Sequence, residues 1–318
     1  MDINSSFSIL LSLVRSALWD CEPDTGALSG LNRQDWMQIL DQARRQTVTG
    51  LVYLALEKYP VRLPEDLPME LVRRANQIVN RNIRMRAVEA SALALFQGLH
   101  PVIMKGSVCA ARYPSSQMRE AGDIDLYFSP EEYPLALGRI PVPYSVNSDE
   151  GVHFTMEKRV VEIHSRYYDL HTSKVPEPAT PEGELLMLAA HIFKHASGPG
   201  VGLRQICDFA LAYNAFTGDP ESVFRDAGME KWLRVLLSFV HDYLDPSVSV
   251  KRYMNPKPLL RIVERSGNFG HHSASRSKSL HAPAFFRKAD TTLRLLSHLP
   301  FSLRYSPREA FHRIKDLI

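Results

Sequence analysis

The sequence predicts an α+β fold, with a small β-rich module set between two helical regions. Three observations lead there. Apolar residues recur at helical spacing through most of the first hundred positions and again after Pro176. Short apolar and alternating runs are confined to the stretch between His100 and Tyr167. No stretch approaches the ~18 consecutive apolar residues of a membrane-spanning helix. The regions that follow are 1–99, helical; 100–175, the β-rich module; and 176–318, helical with a basic tail.

Each element has a local reason. Phe7–Val14 reads as an amphipathic helix on the body; Asp2 precedes it where a signal peptide carries a basic segment. Asp35–Arg45 has apolar groups at 36, 37, 39, 40 and 43, a helical period. Thr49-Gly50 reads as an interruption before helical Leu51–Leu56, and Pro60–Pro68 as a connector. Glu70–Gln97 holds no proline and one pattern, a long helix. His100–Met104 is a short buried strand ended by Lys105-Gly106-Ser107. Val108–Tyr113 begins a helix, Pro114–Gly122 is a loop, and Asp123–Phe128 alternates as a strand. Ser129-Pro-Glu-Glu is a helix-start signature. Val152–Glu157 and Val160–Tyr167 read as strands with a tight turn at Lys158-Arg159. Glu184–His195, Gly202–Phe216 and Glu221–Tyr243 follow as helices, and Ser266–Ala284, rich in Ser, His and Gly, as a loop.

Composition narrows the function. With 45% hydrophobic and 23% charged residues, the chain is neither collagen-like, mucin-like nor wholly disordered. Cys21, Cys109 and Cys207 are widely spaced and odd in number, which argues against a disulfide scaffold or zinc ribbon and for a reducing cytoplasm. The net charge of +3 hides an asymmetry: Lys251–Ile318 carries 14 Lys and Arg against 4 Asp and Glu. Such a tail suits an anionic partner (RNA, anionic lipid or a phosphorylated substrate) or pairs with the acidic body as a solvated helix.

The chemistry concentrates between Met104 and His164. Asp123 and Asp125, two apart on a strand, leave the same face, while Ile124, Leu126 and Phe128 point to the other. Two such carboxylates repel unless a cation sits between them, and a hard divalent ion, Mg²⁺ or Mn²⁺, meets that need. Gly106-Ser107 lies where strand turns to helix, a place where backbone N–H groups and a hydroxyl bind phosphate. Glu162 lies on a later strand with His164 on the same face; a third carboxylate beside the pair would complete a two-metal cluster. Lys105, Arg119 and Lys194 are candidate phosphate contacts. His164 positions Glu162, contacts substrate or is structural. His191 and His195 share a helix face, with His191 read as core, Asp208 as a partner of Arg204 or a neighbouring helix, and Cys109 as lacking any base.

Lys105-Gly106-Ser107, Arg119, Gly122-Asp123-Ile-Asp125-Leu and Val161-Glu162-Ile-His164 resemble the motif series of the polymerase-beta-type nucleotidyltransferase superfamily, and most closely its bacterial branch of uncharacterised nucleotidyltransferases. His191–His195 and Leu203–Asp208 are similar to that branch's C-terminal helical motif, and the likeness spans roughly Leu31 to Ala215. The resemblance implies a small mixed sheet with flanking helices and transfer of a nucleoside monophosphate from an NTP such as ATP. By position, Gly106 and Ser107 would hold the triphosphate; Asp123 and Asp125 would ligate both metals; Glu162, where aspartate is commoner, would be the third carboxylate and help accept the acceptor's proton. The acceptor would be a small molecule, a protein side chain or RNA. Two other readings compete: a degenerate, antitoxin-like regulator that keeps the pocket as a nucleotide- or partner-binding module, and a glycosyltransferase whose DxD holds a nucleotide-sugar. Three converging acids argue against the first, and the hundred helical residues before the first strand against the second.

Overall fold

The computed structural model describes residues 5–147, 151–268 and 298–315. Five helices come first: α1 (Ser5–Trp19), α2 (Thr25–Ser29), α3 (Arg33–Arg45), α4 (Thr49–Lys58) and α5 (Leu67–Leu95). Phe7, Leu10, Leu13 and Val14 make the buried stripe by which α1 packs on α3 and α4. Asn32 caps α3 by accepting from the N–H groups of Gln34 and Asp35, and Asp35 accepts from Asn32 in return. Thr49-Gly50 does not interrupt; it opens α4. A methyl on Gly50 would stand 2.1 Å from the Met118 carbonyl oxygen, so glycine is there for close approach and not as a breaker. The Glu120 carboxylate accepts from the Thr49 N–H at 2.9 Å and satisfies the helix start. Pro68 falls inside α5, in its first turn, where no N–H is needed.

The module between the helical regions is a single five-stranded sheet. It holds β1 (Val102–Ile103), β2 (Ile124–Tyr127), β3 (Ser145–Asn147), β4 (Gly151–Met156) and β5 (Arg159–His164) in the order β1-β2-β5-β4-β3. Among the described strands only β2 and β5 pair parallel, so the sheet is mixed, as the resemblance implied. Two short helices interrupt it, α6 (Ser107–Ala110) and α7 (Tyr133–Leu137). The β4–β5 turn sits at Glu157-Lys158, one residue earlier than the sequence suggested, because Met156 and Arg159 form the last rung. Both turn residues take positive φ, 48° and 63°, as a two-residue hairpin requires. β3, with three residues, carries too little pattern to be read in advance. Ile124, Leu126, Phe128, Val161, Ile163, Val152 and Phe154 form one apolar face. Met85, Val88, Ala92 and Phe96 from α5 and its end cover that face, with Phe96 edge-on to Phe128 at 5.0 Å.

The later helices are α8 (Pro181–Ala196), α9 (Leu203–Ala215), α10 (Pro220–Asp226), α11 (Glu230–Phe239, running into a π turn at Val240–Leu244) and α12 (Lys257–Ser266). Residues 298–305 and Pro307–Lys315 are also helical. The single helix expected over Glu221–Tyr243 is divided because Gly228, at φ 72°, ends α10 in the left-handed conformation while the Met229 N–H closes back on the Phe224 carbonyl at 2.7 Å. Thr180 caps α8, whose Phe193 meets Trp232 of α11; the Trp232 N–H donates to the Ala189 carbonyl at 2.8 Å. The N-terminal and C-terminal helices share one hydrophobic core. Among the described residues no helix is long and apolar enough to cross a membrane. Most of the Ser/His-rich stretch, with His271 and His272, lies outside the described residues.

Gly50→Ala is expected to lower stability by about 1–3 kcal/mol, since backbone rather than a flexible side chain meets the new methyl. Urea denaturation should show an earlier midpoint at an unchanged slope.

Candidate functional site

The register of β2 against β5 builds the polar face of the sheet. Asp125 lies opposite Glu162 and Tyr127 opposite His164, and all four point away from the face covered by α5. His164 Nε2 is 3.1 Å from Asp125 Oδ1 and 3.5 Å from Glu162 Oε2. Ligand atoms of Asp125, Glu162 and His164 all lie within 4.8 Å of one another. Lys105 comes from the other side of β2: the Met104 N–H extends the β1–β2 ladder to the Asp125 carbonyl at 3.1 Å, and the next residue projects its Nζ to 3.2 Å from Asp125 Oδ1. Gly106 then takes φ 61°, ψ −114°, a conformation open to glycine, and turns the chain into α6 at Ser107.

Electrostatics divide the three acids. Burial would raise the Asp125 carboxyl, but the Lys105 ammonium and the His164 hydrogen bond outweigh it and hold the group well below the usual carboxylate range. Glu162 moves the other way, pushed up by burial and then by the Asp125 charge. Asp123, one residue before β2, is also raised, by partial burial of its carboxyl and by the Asp125 charge. Two adjacent carboxylates with an imidazole fit a divalent cation: the oxygens suit Mg²⁺, and the histidine widens the set toward Mn²⁺.

Helix α8 walls the opposite side of a cleft of about 330 Å³. His191 Nε2 stands 3.5 Å from Lys105 Nζ, and its Nδ1 is 3.2 Å from Asp169 Oδ2. Lys194, one turn on, donates to Asp169 Oδ1 at 2.7 Å. Burial, helped by the Lys105 charge, pulls His191 down to about 4. His195 packs edge-on to His191 at 4.4 Å and is lowered for the same first reason. Arg166 and Met187 also line the cleft.

Of the residues singled out from sequence, Lys105, Asp125, Glu162, His164 and Lys194 line this cleft. Asp123 flanks it, and Gly106 and Ser107 form the turn beside Lys105. Arg119 is elsewhere. Its guanidinium makes two bonds to Asp208, at 2.8 and 2.7 Å, with the side chains 5% and 4% exposed. Tyr113 donates to the same carboxylate at 2.7 Å, so Arg119 ties the 114–122 loop to α9 instead of facing phosphate. Asp208 thus bonds Arg119, not Arg204, which reaches the Glu120 carbonyl at 2.6 Å. Cys109 is buried, and burial pushes its thiol up to about 12, which disfavours the thiolate a nucleophile needs. Asp169 had no signal in the sequence: it stands in no motif and outside every periodic segment. His191 did have one, its i, i+3 spacing from Lys194, but a histidine amid Leu, Ala and Ile reads as core.

A family model described as uncharacterised nucleotidyltransferase matches residues 32–244, well over half of the chain and somewhat beyond the span of the motif likeness. No curated protein and no solved structure matches the chain.

Arg119→Ala should cost about 3–5 kcal/mol, because it strands the Asp208 charge in the core; a small change in the urea midpoint would contradict the buried pairing. A pH effect follows from His191. With its folded pKa about 4, below the ordinary 6.5, the native state refuses a proton that the unfolded chain takes. The associated stability is complete above pH 6.5 and is lost as pH falls toward 4. Replacing His191 with Gln should flatten that part of the stability–pH curve.

Proposed function

The chain belongs to the uncharacterised nucleotidyltransferase family, and from that premise we propose that it transfers a nucleoside monophosphate from an NTP to an acceptor hydroxyl at the Asp125–Glu162 edge of the sheet, with Mg²⁺ or Mn²⁺. One observation carries the reading: parallel pairing of β2 with β5 sets two carboxylates side by side in a cleft that the ammonium groups of Lys105 and Lys194 also line. Carboxylates and ammonium groups lining one cleft suit a substrate that is both a metal ligand and a polyanion.

In this proposal the acceptor oxygen attacks the α-phosphorus. The bond from that phosphorus to the oxygen bridging to the β-phosphate breaks, and pyrophosphate leaves with the electron pair. The acceptor's proton passes to the Glu162 carboxylate, which stands beside Asp125 and is not tied to Lys105 as Asp125 is. His164, bonded to Asp125 and close to Glu162, fixes both carboxylates in place. Lys105 and Lys194 hold the triphosphate, together with the backbone at Gly106-Ser107. A divalent cation held by Asp123, Asp125 and Glu162, with His164 alongside, would neutralise phosphate charge and acidify the acceptor hydroxyl. Positioning and charge neutralisation then supply most of the rate. Arg119 contributes at one remove, by anchoring the loop that leads into Asp123.

Asp125→Asn is expected to reduce transfer of label from an NTP marked at its α-phosphorus by at least about a hundredfold, with circular dichroism unchanged. The assay takes ATP, GTP, CTP and UTP in turn, with Mg²⁺ and with chelator. Turnover retained in the variant, or undiminished by chelator, would contradict the proposal.

A further inference from the structure

We infer that Asp169 is the positioning residue for the phosphate contacts of the cleft: one carboxylate fixes the His191 tautomer that holds Lys105 and also holds Lys194. This rests on the nucleotidyl-transfer reading above. An ionised carboxylate only accepts hydrogen bonds, so the His191 nitrogen facing it, Nδ1 at 3.2 Å, carries the hydrogen. An ammonium only donates, so Nε2, 3.5 Å from Lys105 Nζ, must present its lone pair. Burial disfavours a charged ring, which leaves one hydrogen to be shared between the two nitrogens. The second oxygen of Asp169 takes the Lys194 ammonium at 2.7 Å. His191 and Lys194 lie i, i+3 on α8, so a single acid reaches both.

The fold, rather than these partners, sets where Asp169 stands. Its neighbours on the chain are each tied down. The Tyr168 hydroxyl donates to the Pro176 carbonyl at 2.7 Å, and Leu170 is buried. His171 gives its N–H to Glu309 Oε2 at 3.1 Å and sets its Nδ1 2.8 Å from Oε1 of the same group. Glu309 is 5% exposed and belongs to the helix Pro307–Lys315, whose His312 stacks on His171 at 5.0 Å. The basic C-terminal segment, beyond the part of the chain that matches the family model, therefore secures the loop carrying Asp169. Lysine side chains have many rotamers, and a fixed acceptor is what aims them.

Nitrogen NMR of the full chain with labelled histidine reads the tautomer directly. His191 is expected as the Nδ1–H form in the native protein and shifted toward Nε2–H in Asp169→Asn, where the amide keeps its oxygen on Lys194 and turns its NH₂ to the ring. Calorimetric titration with inorganic tripolyphosphate and Mg²⁺ should show about tenfold weaker binding by that variant. Unchanged affinity in the variant while the native protein binds overturns the inference and leaves the transfer reading standing. A native protein that does not bind tripolyphosphate overturns the transfer reading instead. If the variant fails to fold, the native spectrum alone decides: an Nε2–H ring at His191 overturns the inference.

Discussion

The parallel pairing of β2 with β5 is the constraint on which the rest of the molecule depends. Side chains alternate between faces with a period of two, so one register fixes both what lies beneath the sheet and what stands above it. Below, Ile124, Leu126, Val161 and Ile163 meet α5; above, Asp125 and Glu162 meet each other. A slip of one residue in either strand would drive that strand's carboxylate into the apolar layer, so burial of the underside selects the polar arrangement on top. The adjacency of like charges comes from packing on the opposite side of the strands.

Such adjacency has to be compensated. Lys105, delivered by the continuation of the β1 ladder, and His164, two residues beyond Glu162, both converge on Asp125. The result is a pair with divided character, one carboxyl firmly ionised and its neighbour pushed toward protonation. Environments that push neighbouring pKa values apart are the usual way a site separates a charge-bearing group from a proton acceptor.

The helical regions work as walls and braces for that small sheet. α5 supplies the layer beneath it, and Asn82 on the same helix bonds the carbonyls of Gln117 and Arg119 and the N–H of Ala121, which holds the loop before Asp123. α9 holds the same loop through the Arg119–Asp208 pair, and α8 closes the cleft. Since the N-terminal and C-terminal helices share one core, the cleft is framed by residues far apart in the chain, from Lys105 to Lys194 and, through His171, to Glu309.

By itself the sequence determined the local matters: helices where apolar residues recur every three or four positions, strands where they alternate, and the short spacings that set Lys105 beside Gly106-Ser107, Asp123 beside Asp125 and Glu162 beside His164. Those features are set within a few residues, and so they are legible in one dimension. Tertiary structure decided the rest. Gly50 reads as a breaker until the Met118 carbonyl is seen against it, and Arg119 as a phosphate contact until Asp208 meets it in the core. Asp169 and His191 gain meaning only once α8 stands along the cleft. In each case the deciding partner lies tens of residues away, and an ion pair or a close backbone approach leaves no periodic trace in the chain.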